Sequence, residues 1–245
     1  QGENYQKVID LALSNSHYVD DQSITLSIIA SANLKLDRYE DAISSYKKAL
    51  RVDGHNCNIH NNLGVVYLRI QKLDQAYACF QKAISLNPQY AEAYYNRGNL
   101  DRMLEDDENA IISYKHALDL EPTHFDAKNN LGALLQKRGS YEKAESVFRE
   151  IVKADPHYAL GLNNLGIISR KLGNYEEAML YFVKAVSCEP ENISIWENLG
   201  SVLSLRDLNF QDYDDTLADI FVELLNKKKT NNPNMVAPAI LKLLF

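Results

Sequence analysis

The chain of 245 residues is poor in cysteine, with three in all. Cys57, Cys79 and Cys188 are few and odd in number, which excludes a disulfide framework and reads as reduced thiols in a cytoplasmic protein. Positive charge is also in deficit. Lys and Arg total 26 against 33 Asp and Glu, a formal net charge of −7. A nucleic-acid binder draws its affinity from cations that neutralise phosphates, so no nucleic-acid partner is expected. No apolar run approaches the roughly 20 residues that a membrane span needs, so no span is expected. Gln1-Gly2-Glu3-Asn4 has neither a basic lead nor an apolar stretch, and no signal peptide is visible. What remains, 46% hydrophobic and 24% charged, is an ordinary soluble composition and not a disordered one.

Glycine and proline are scarce but not scattered. Gly64, Gly98, Gly132, Gly166 and Gly200 are spaced by 34 residues, and Pro88, Pro122, Pro156 and Pro190 keep the same spacing. Ala42, Ala76, Ala110, Ala144 and Ala178 follow it too, each with an aromatic four residues on: Tyr46, Phe80, Tyr114, Phe148 and Phe182. Such a period marks a chain of repeated supersecondary units. With the glycine at position 8, the full units are 23–56, 57–90, 91–124, 125–158 and 159–192. The first carries Ala30 at the glycine position and Gly54 at the proline position. Residues 1–22 form a half unit, with Tyr5 and Val8 in the registers of Tyr39 and Ala42. Residues 193–206, with Trp196, Leu199 and Gly200, form the first helix of a sixth.

Each unit reads as two helices. Positions 4, 7, 8 and 11 cluster on one side of the first at about 100° per residue. Gly139-Ser140 and Gly173-Asn174 mark the turn, and the second helix starts near Tyr141 and Tyr175. It ends before the proline, which lacks the N–H to continue it. Glycine and alanine stand where helices approach closely, and the aromatic fills the gap.

Asn61-Asn62-Leu63-Gly64, Tyr67, Ala76, Phe80 and Pro88 resemble the tetratricopeptide repeat, as do the matching positions to about residue 206. The resemblance implies an all-α, right-handed α-solenoid: antiparallel helix pairs stacked in a superhelix whose concave face is lined by first helices. Such units close one another's cores, and the ends need caps. The natural cap is residues 207–245. Tyr213, Leu217, Ile220, Phe221, Leu224 and Leu225 predict an amphipathic helix over 211–226, and Val236–Phe245 a second short one. The chain stops at Leu243-Leu244-Phe245 with no polar ending. Either a longer parent protein continues from here, or a natural end docks on the cap.

Groups that could carry chemistry are few. None of His17, His55, His60, His116, His124 and His157 has a Cys, Asp or Glu at ligand spacing, so no metal site and no cofactor are expected. His124 and His157 fall in loops and read as solvated. Asp106-Asp107-Glu108 and Asp212-Tyr213-Asp214-Asp215 lie where helices begin, where negative charge suits the helix dipole. No catalytic residue is identified.

The informative column is position 6, with Asn62, Asn96, Asn130, Asn164 and Asn198; the first unit has Ile28 there. The wheel places position 6 roughly 150° from the packing face. Asparagine costs about half a kcal/mol relative to alanine inside a helix, so five of them need a reason. An amide offers both donor and acceptor, as needed to read the N–H and C=O of an extended peptide. Position 5 adds Asn61, Tyr95, Asn129 and Asn163, with Glu197 last. Asn99 stands at position 9, Arg102 and Arg170 at position 12, and Lys35, Arg69, Lys137 and Lys171 at position 13. Cations in the last turn of a helix also suit its dipole. The column resembles that of the tetratricopeptide region of O-linked N-acetylglucosamine transferases, which implies that Asn62 through Asn198 grip a substrate main chain.

Three functions fit. The first is a protein-interaction module that holds an extended peptide in the concave groove. The second is the substrate-recruiting region of a larger glycosyltransferase or methyltransferase whose catalytic domain lies downstream. The third is a self-assembling scaffold, a homo-oligomer in which Val236–Phe245 enters the groove of another copy. A ladder of amides bonding each other between units is the structural alternative to a peptide grip.

Overall fold

A computed structural model describes residues 2–14 and 22–203. Among them every regular element is an α-helix. The order is α1 (Gly2–Ser14), α2 (Gln22–Lys35), α3 (Tyr39–Val52), α4 (Cys57–Arg69), α5 (Leu73–Leu86), α6 (Ala91–Met103), α7 (Asp107–Leu120), α8 (Phe125–Lys137), α9 (Tyr141–Ala154), α10 (Ala159–Lys171), α11 (Tyr175–Cys188) and α12 (Ile193–Leu203). The cap helices expected over 211–226 and 236–245, and the self-association assigned to them, lie outside the described residues.

The chain divides into two compact units, Gln1–Ala127 and Lys128–Phe245. In the first, α2 packs on α3, α4 on α5 and α6 on α7; α4 also touches both α2 and α6, its neighbouring first helices. In the second, α10 packs on α11, α9 and α12, and α11 packs on α12. The all-α repeat architecture expected from the 34-residue period is present in both.

One contact recurs inside the helix pairs. A methyl group built on Gly64, Gly98, Gly132 or Gly166 would lie 2.6, 2.7, 2.6 and 2.6 Å from the rings of Phe80, Tyr114, Phe148 and Phe182 respectively. Those rings are fully buried against the bare backbone of the first helix. Ala42, Ala76, Ala110, Ala144 and Ala178, one turn earlier on the second helix, are completely buried as well. Small residue and large ring together set how closely the two helices lie.

Where the ring is tyrosine, its hydroxyl needs a partner. The Tyr46 hydroxyl lies 2.8 Å from Ser31 Oγ, and the Tyr114 hydroxyl donates to Asn99 Oδ1 at 2.7 Å. Both partners stand at position 9. Where the ring is phenylalanine, position 9 is apolar: Val65, Ala133 and Ile167. A buried hydroxyl without a partner would lose its water and gain nothing, so the two positions change together.

The turn within each pair also repeats. Residue 15 of the unit adopts positive φ at Asp37 (56°), Gln71 (58°), Glu105 (59°), Gly139 (75°) and Gly173 (84°). The next N–H then reaches back five residues, from Arg38, Lys72, Asp106 and Ser140 to Asn33, Tyr67, Asp101 and Leu135 at 2.9 Å, and from Asn174 to Ser169 at 2.8 Å. This is a Schellman closure of the first helix. Only two turns use glycine, so the other three hold non-glycine residues at a cost of about 1 kcal/mol each.

The packed face is wider than expected: positions 7, 8 and 11 are largely buried as expected, but they are not alone. Positions 3 and 10 are buried in every unit, as Thr25, Ile59, Ala93, Ala127, Gly161 and Ile195, and as Ala32, Val66, Leu100, Leu134, Ile168 and Val202. Position 4 is half-buried at Leu26, His60, Tyr94, Lys128 and Trp196 and buried at Leu162. Position 6 is about 40° from position 10 on the wheel. It therefore borders the packed face and does not oppose it.

Replacing Gly166 with alanine is expected to destabilise the protein by about 1–2 kcal/mol, the ring clash outweighing the better helix propensity of alanine. Urea denaturation followed by circular dichroism measures it; unchanged or higher stability would show that the ring yields freely.

Candidate functional site

The asparagines of the candidate site meet one another. Asn96 Nδ2 donates to Asn61 Oδ1 at 3.0 Å, Asn164 Nδ2 to Asn129 Oδ1 at 3.1 Å, and Asn198 Nδ2 to Asn163 Oδ1 at 2.9 Å. Position 6 of one unit thus donates to position 5 of the unit before. This follows from the placement of the two positions on opposite margins of the packed face, where successive first helices touch. Asn61 and Asn96 are almost fully buried, 2% and 7% exposed, while Asn62, Asn129, Asn130, Asn164 and Asn198 are half-buried. Asn61 Nδ2 also reaches Asn62 Oδ1 at 3.4 Å, and Asn96 Nδ2 reaches Glu92 Oε1 at the same distance.

The remaining candidates sit in mixed surroundings. Asn99 accepts the Tyr114 hydroxyl, a bond that satisfies the core. Arg102 is exposed, and Arg170 Nη1 donates to Ser201 Oγ. Lys35, Arg69, Lys137 and Lys171 are exposed. Tyr95 lies half-buried between two rings, 6.0 Å from the centroid of Tyr114 and 4.6 Å from that of His124. Burial, then the charge of Glu92, pushes the Tyr90 hydroxyl up to about 12, although a bond with Asn61 opposes this. It stays a neutral hydroxyl beside the amides.

His124 is not the solvated loop residue expected. Its side chain is 11% exposed, and Nε2 lies 3.3 Å from Glu92 Oε2 while Nδ1 accepts from the Ala127 N–H at 3.3 Å. The hydrogen bond to Glu92 raises its pKa most, and burial opposes it; the charges of Glu92, Glu121 and Asp126 also raise it. His157 is exposed as expected, its N–H bonded to Asp155 Oδ1. Asp106 caps α7 by accepting from the Asn109 N–H at 3.1 Å, which holds its carboxyl below the usual range. Its negative charge at a helix start is thus accounted for by capping.

A buried polar network escaped the sequence reading. Arg97 stands at position 7, where later units have leucine. Its Nε donates to Ser113 Oγ at 3.1 Å, its Nη1 to Gln81 Oε1 at 3.3 Å, and its guanidinium lies 5.3 Å from the Tyr94 ring centroid. Ser113 Oγ in turn donates to the buried Asp101 Oδ2 at 2.9 Å, and burial raises the Asp101 carboxyl. The signal was there: a charge at a position otherwise kept for leucine.

The cysteines are free and half-buried. Burial pushes the Cys79 thiol up to about 11 and raises that of Cys188 as well, the opposite of what an activated thiolate needs. Among the described residues no group of three or more His, Cys, Asp and Glu is placed to hold a metal ion. No described helix is long and apolar enough to cross a membrane.

Family models described as tetratricopeptide repeat match residues 57–90, 91–124 and 129–193, and one described as TPR repeat matches 31–71. Together they span more than half of the chain, and the protein belongs to the tetratricopeptide repeat family. No curated protein matches the sequence. Among solved structures, MamA is 27% identical with a TM-score of 0.60, covering 66% of this chain and 95% of its own. PilW, a widely conserved type IV pilus biogenesis factor, superposes with a TM-score of 0.67 at 20% identity over 93% of this chain and 100% of its own. YrrB, described as a TPR protein with an unusual peptide-binding site, has a TM-score of 0.59 at 22% identity over 76% and 96%. The last two likenesses are of fold.

Two measurements separate structural from binding roles here. Tyr114→Phe should cost about 1–2 kcal/mol by removing the hydroxyl's hydrogen bond to Asn99 Oδ1, and adding Asn99→Val should restore most of it, because units with phenylalanine are apolar at position 9; non-recovery in urea denaturation would contradict the pairing. For His124 the folded pKa is raised, so its contribution to stability is fully present below the unfolded value, about 6.5, and is lost as pH rises through the folded one. Thermal unfolding between pH 5 and 8 should therefore show a decline in that window that His124→Gln flattens, and an unchanged profile would exclude it.

Proposed function

We propose that the protein is an interaction module that holds an extended peptide along its first helices, with the amides at positions 5 and 6 meeting the peptide backbone. The observation that carries this reading is the way the amides pair. One Nδ2–H···Oδ1 bond joins Asn164 to Asn129, and another joins Asn198 to Asn163. Each bond uses one donor and one acceptor site. The position-6 amide retains its own carbonyl oxygen, and the position-5 amide retains its nitrogen donors.

An acceptor and a donor held side by side are the complement of the C=O and N–H of a peptide unit. The pairing also fixes both side chains before a ligand arrives, so less rotamer entropy is lost on binding. Cohesion between neighbouring helices and recognition are then two uses of one pair. The half-buried Asn62 and Asn130, with Tyr95, Arg102 and Arg170, continue this polar surface in their own units. Asn99, tied to Tyr114, contributes from below.

Replacing both partners at once avoids leaving either amide orphaned. The double variant Asn129→Ala/Asn164→Ala is expected to bind a set of acetylated, amidated mixed-sequence decapeptides about tenfold more weakly, across sequences, with helicity retained. Fluorescence anisotropy and circular dichroism provide the two readouts. Undiminished affinity would reduce the amides to a structural seam.

A further inference from the structure

We infer that the cavity at the N-terminal end of the first unit is a side-chain pocket that selects, in the bound peptide, an apolar residue next to an acidic one. The inference rests on the peptide-binding reading above and gives it a substrate class.

The cavity has a volume of about 470 Å³ and is bounded by Val8 of α1, by Ile24, Ile28, Ser31 and Lys35 of α2, and by Asn58 of α4. Ligand pockets run from about 300 to 1,000 Å³. Ile24 and Ile28 are 52% and 45% exposed. They are one turn apart on α2 and so present a continuous apolar step. Ile28 occupies position 6, the place taken by asparagine in the five following units. That exchange changes what the row can bind. An amide bonds a backbone group; isoleucine offers no hydrogen bond and gains only by being covered with apolar surface.

Among the described residues, Lys35 is the one charged side chain lining the cavity, and it is the one charged residue on α2. Among the described residues no carboxylate pairs with it. An exposed cation at the rim of an apolar step, in a chain that is otherwise net acidic, complements an acidic side chain beside an apolar one. The occupant is therefore an extended peptide carrying that pair, with its backbone running on toward the amides.

The experiment uses the full chain and three labelled, acetylated and amidated decapeptides: one of glycine and serine only, one with a central Leu-Glu, one with a central Leu-Lys. The Leu-Glu peptide is expected to bind at least about tenfold more tightly than the glycine–serine peptide, as burial of one leucine provides, and more tightly than Leu-Lys. Ile28→Asn, which installs the residue the other units carry, should abolish the gain, and Lys35→Glu should reverse the order of Leu-Glu and Leu-Lys. Equal binding of all three peptides that is still weakened by Asn129→Ala/Asn164→Ala would overturn the pocket and leave the amide reading standing. Binding of none would overturn both. Self-association that light scattering shows to be lost in Ile28→Asn, with no preference among peptides, would assign the cavity to a second copy and overturn the inference as well.

Discussion

The contact between a glycine of the first helix and an aromatic ring of the second is the constraint on which the rest of the structure depends. At Gly64, Gly98, Gly132 and Gly166 the ring lies where a side chain would begin. The ring closes the helix pair and thereby fixes the distance between its axes. That closeness buries Ala42 and its counterparts completely. It also directs the outer residues of the first helix toward its neighbour. Residue 15 then has to reverse the chain in left-handed backbone, even where it is Asp37, Gln71 or Glu105. Local strain of about 1 kcal/mol at such a residue is small against the burial of a whole ring, worth about 1.5–3 kcal/mol. The turn can therefore vary in sequence more widely than the glycine position, where only the first of the five full units departs, with Ala30.

The amides follow from the same geometry. Close pairs bring successive first helices near enough for position 6 of one to reach position 5 of the last, and the two asparagines bond at about the normal distance of 3 Å. A buried amide with no partner would be costly, so asparagine at one position favours asparagine at the other. Where position 5 holds Tyr95 instead, its ring packs at a tilt of about 40° against those of His124 and Tyr114. Cohesion alone accounts for the three pairs, but it leaves Asn129, Asn164 and Asn198 half-buried, each using in its pair one of several hydrogen-bonding sites that its amide offers. That remainder is what makes the row a candidate for reading a backbone.

Much of this was legible in the sequence because some positions tolerate only one kind of residue. Glycine clears the ring in four units, with Ala30 the one departure among the full units, and only a small residue fits at Ala110 or Ala144. Identity at a fixed spacing reveals such positions directly. Positions 3 and 10 are just as buried but accept Thr25, Gly161 or Ile195 in turn, so they leave no repeated letter and the packing face was drawn too narrow. The same error turned position 6 away from its neighbour. A helical wheel has one helix in it, whereas the Asn61–Asn96 bond spans 35 residues and two helices. His124 was misread for a related reason: its loop position is local, while Tyr95 and Glu92, which shield it, stand about 30 residues earlier on α6.

Departures from a repeat carry more functional information than the repeat itself. A row of identical amides treats every peptide alike, because every peptide has the same backbone. Discrimination requires a difference in affinity between ligands, and in a solenoid it must come from a unit that breaks the pattern. Arg97 breaks it inward and is absorbed by Ser113, Gln81 and Tyr94. Asn99 breaks it to satisfy Tyr114. Ile28 breaks it on the surface, at a cavity it shares with Lys35, and no contact among the described residues explains it. Of the three it alone is exposed, so the proposed preference for an apolar side chain in the bound peptide would originate there.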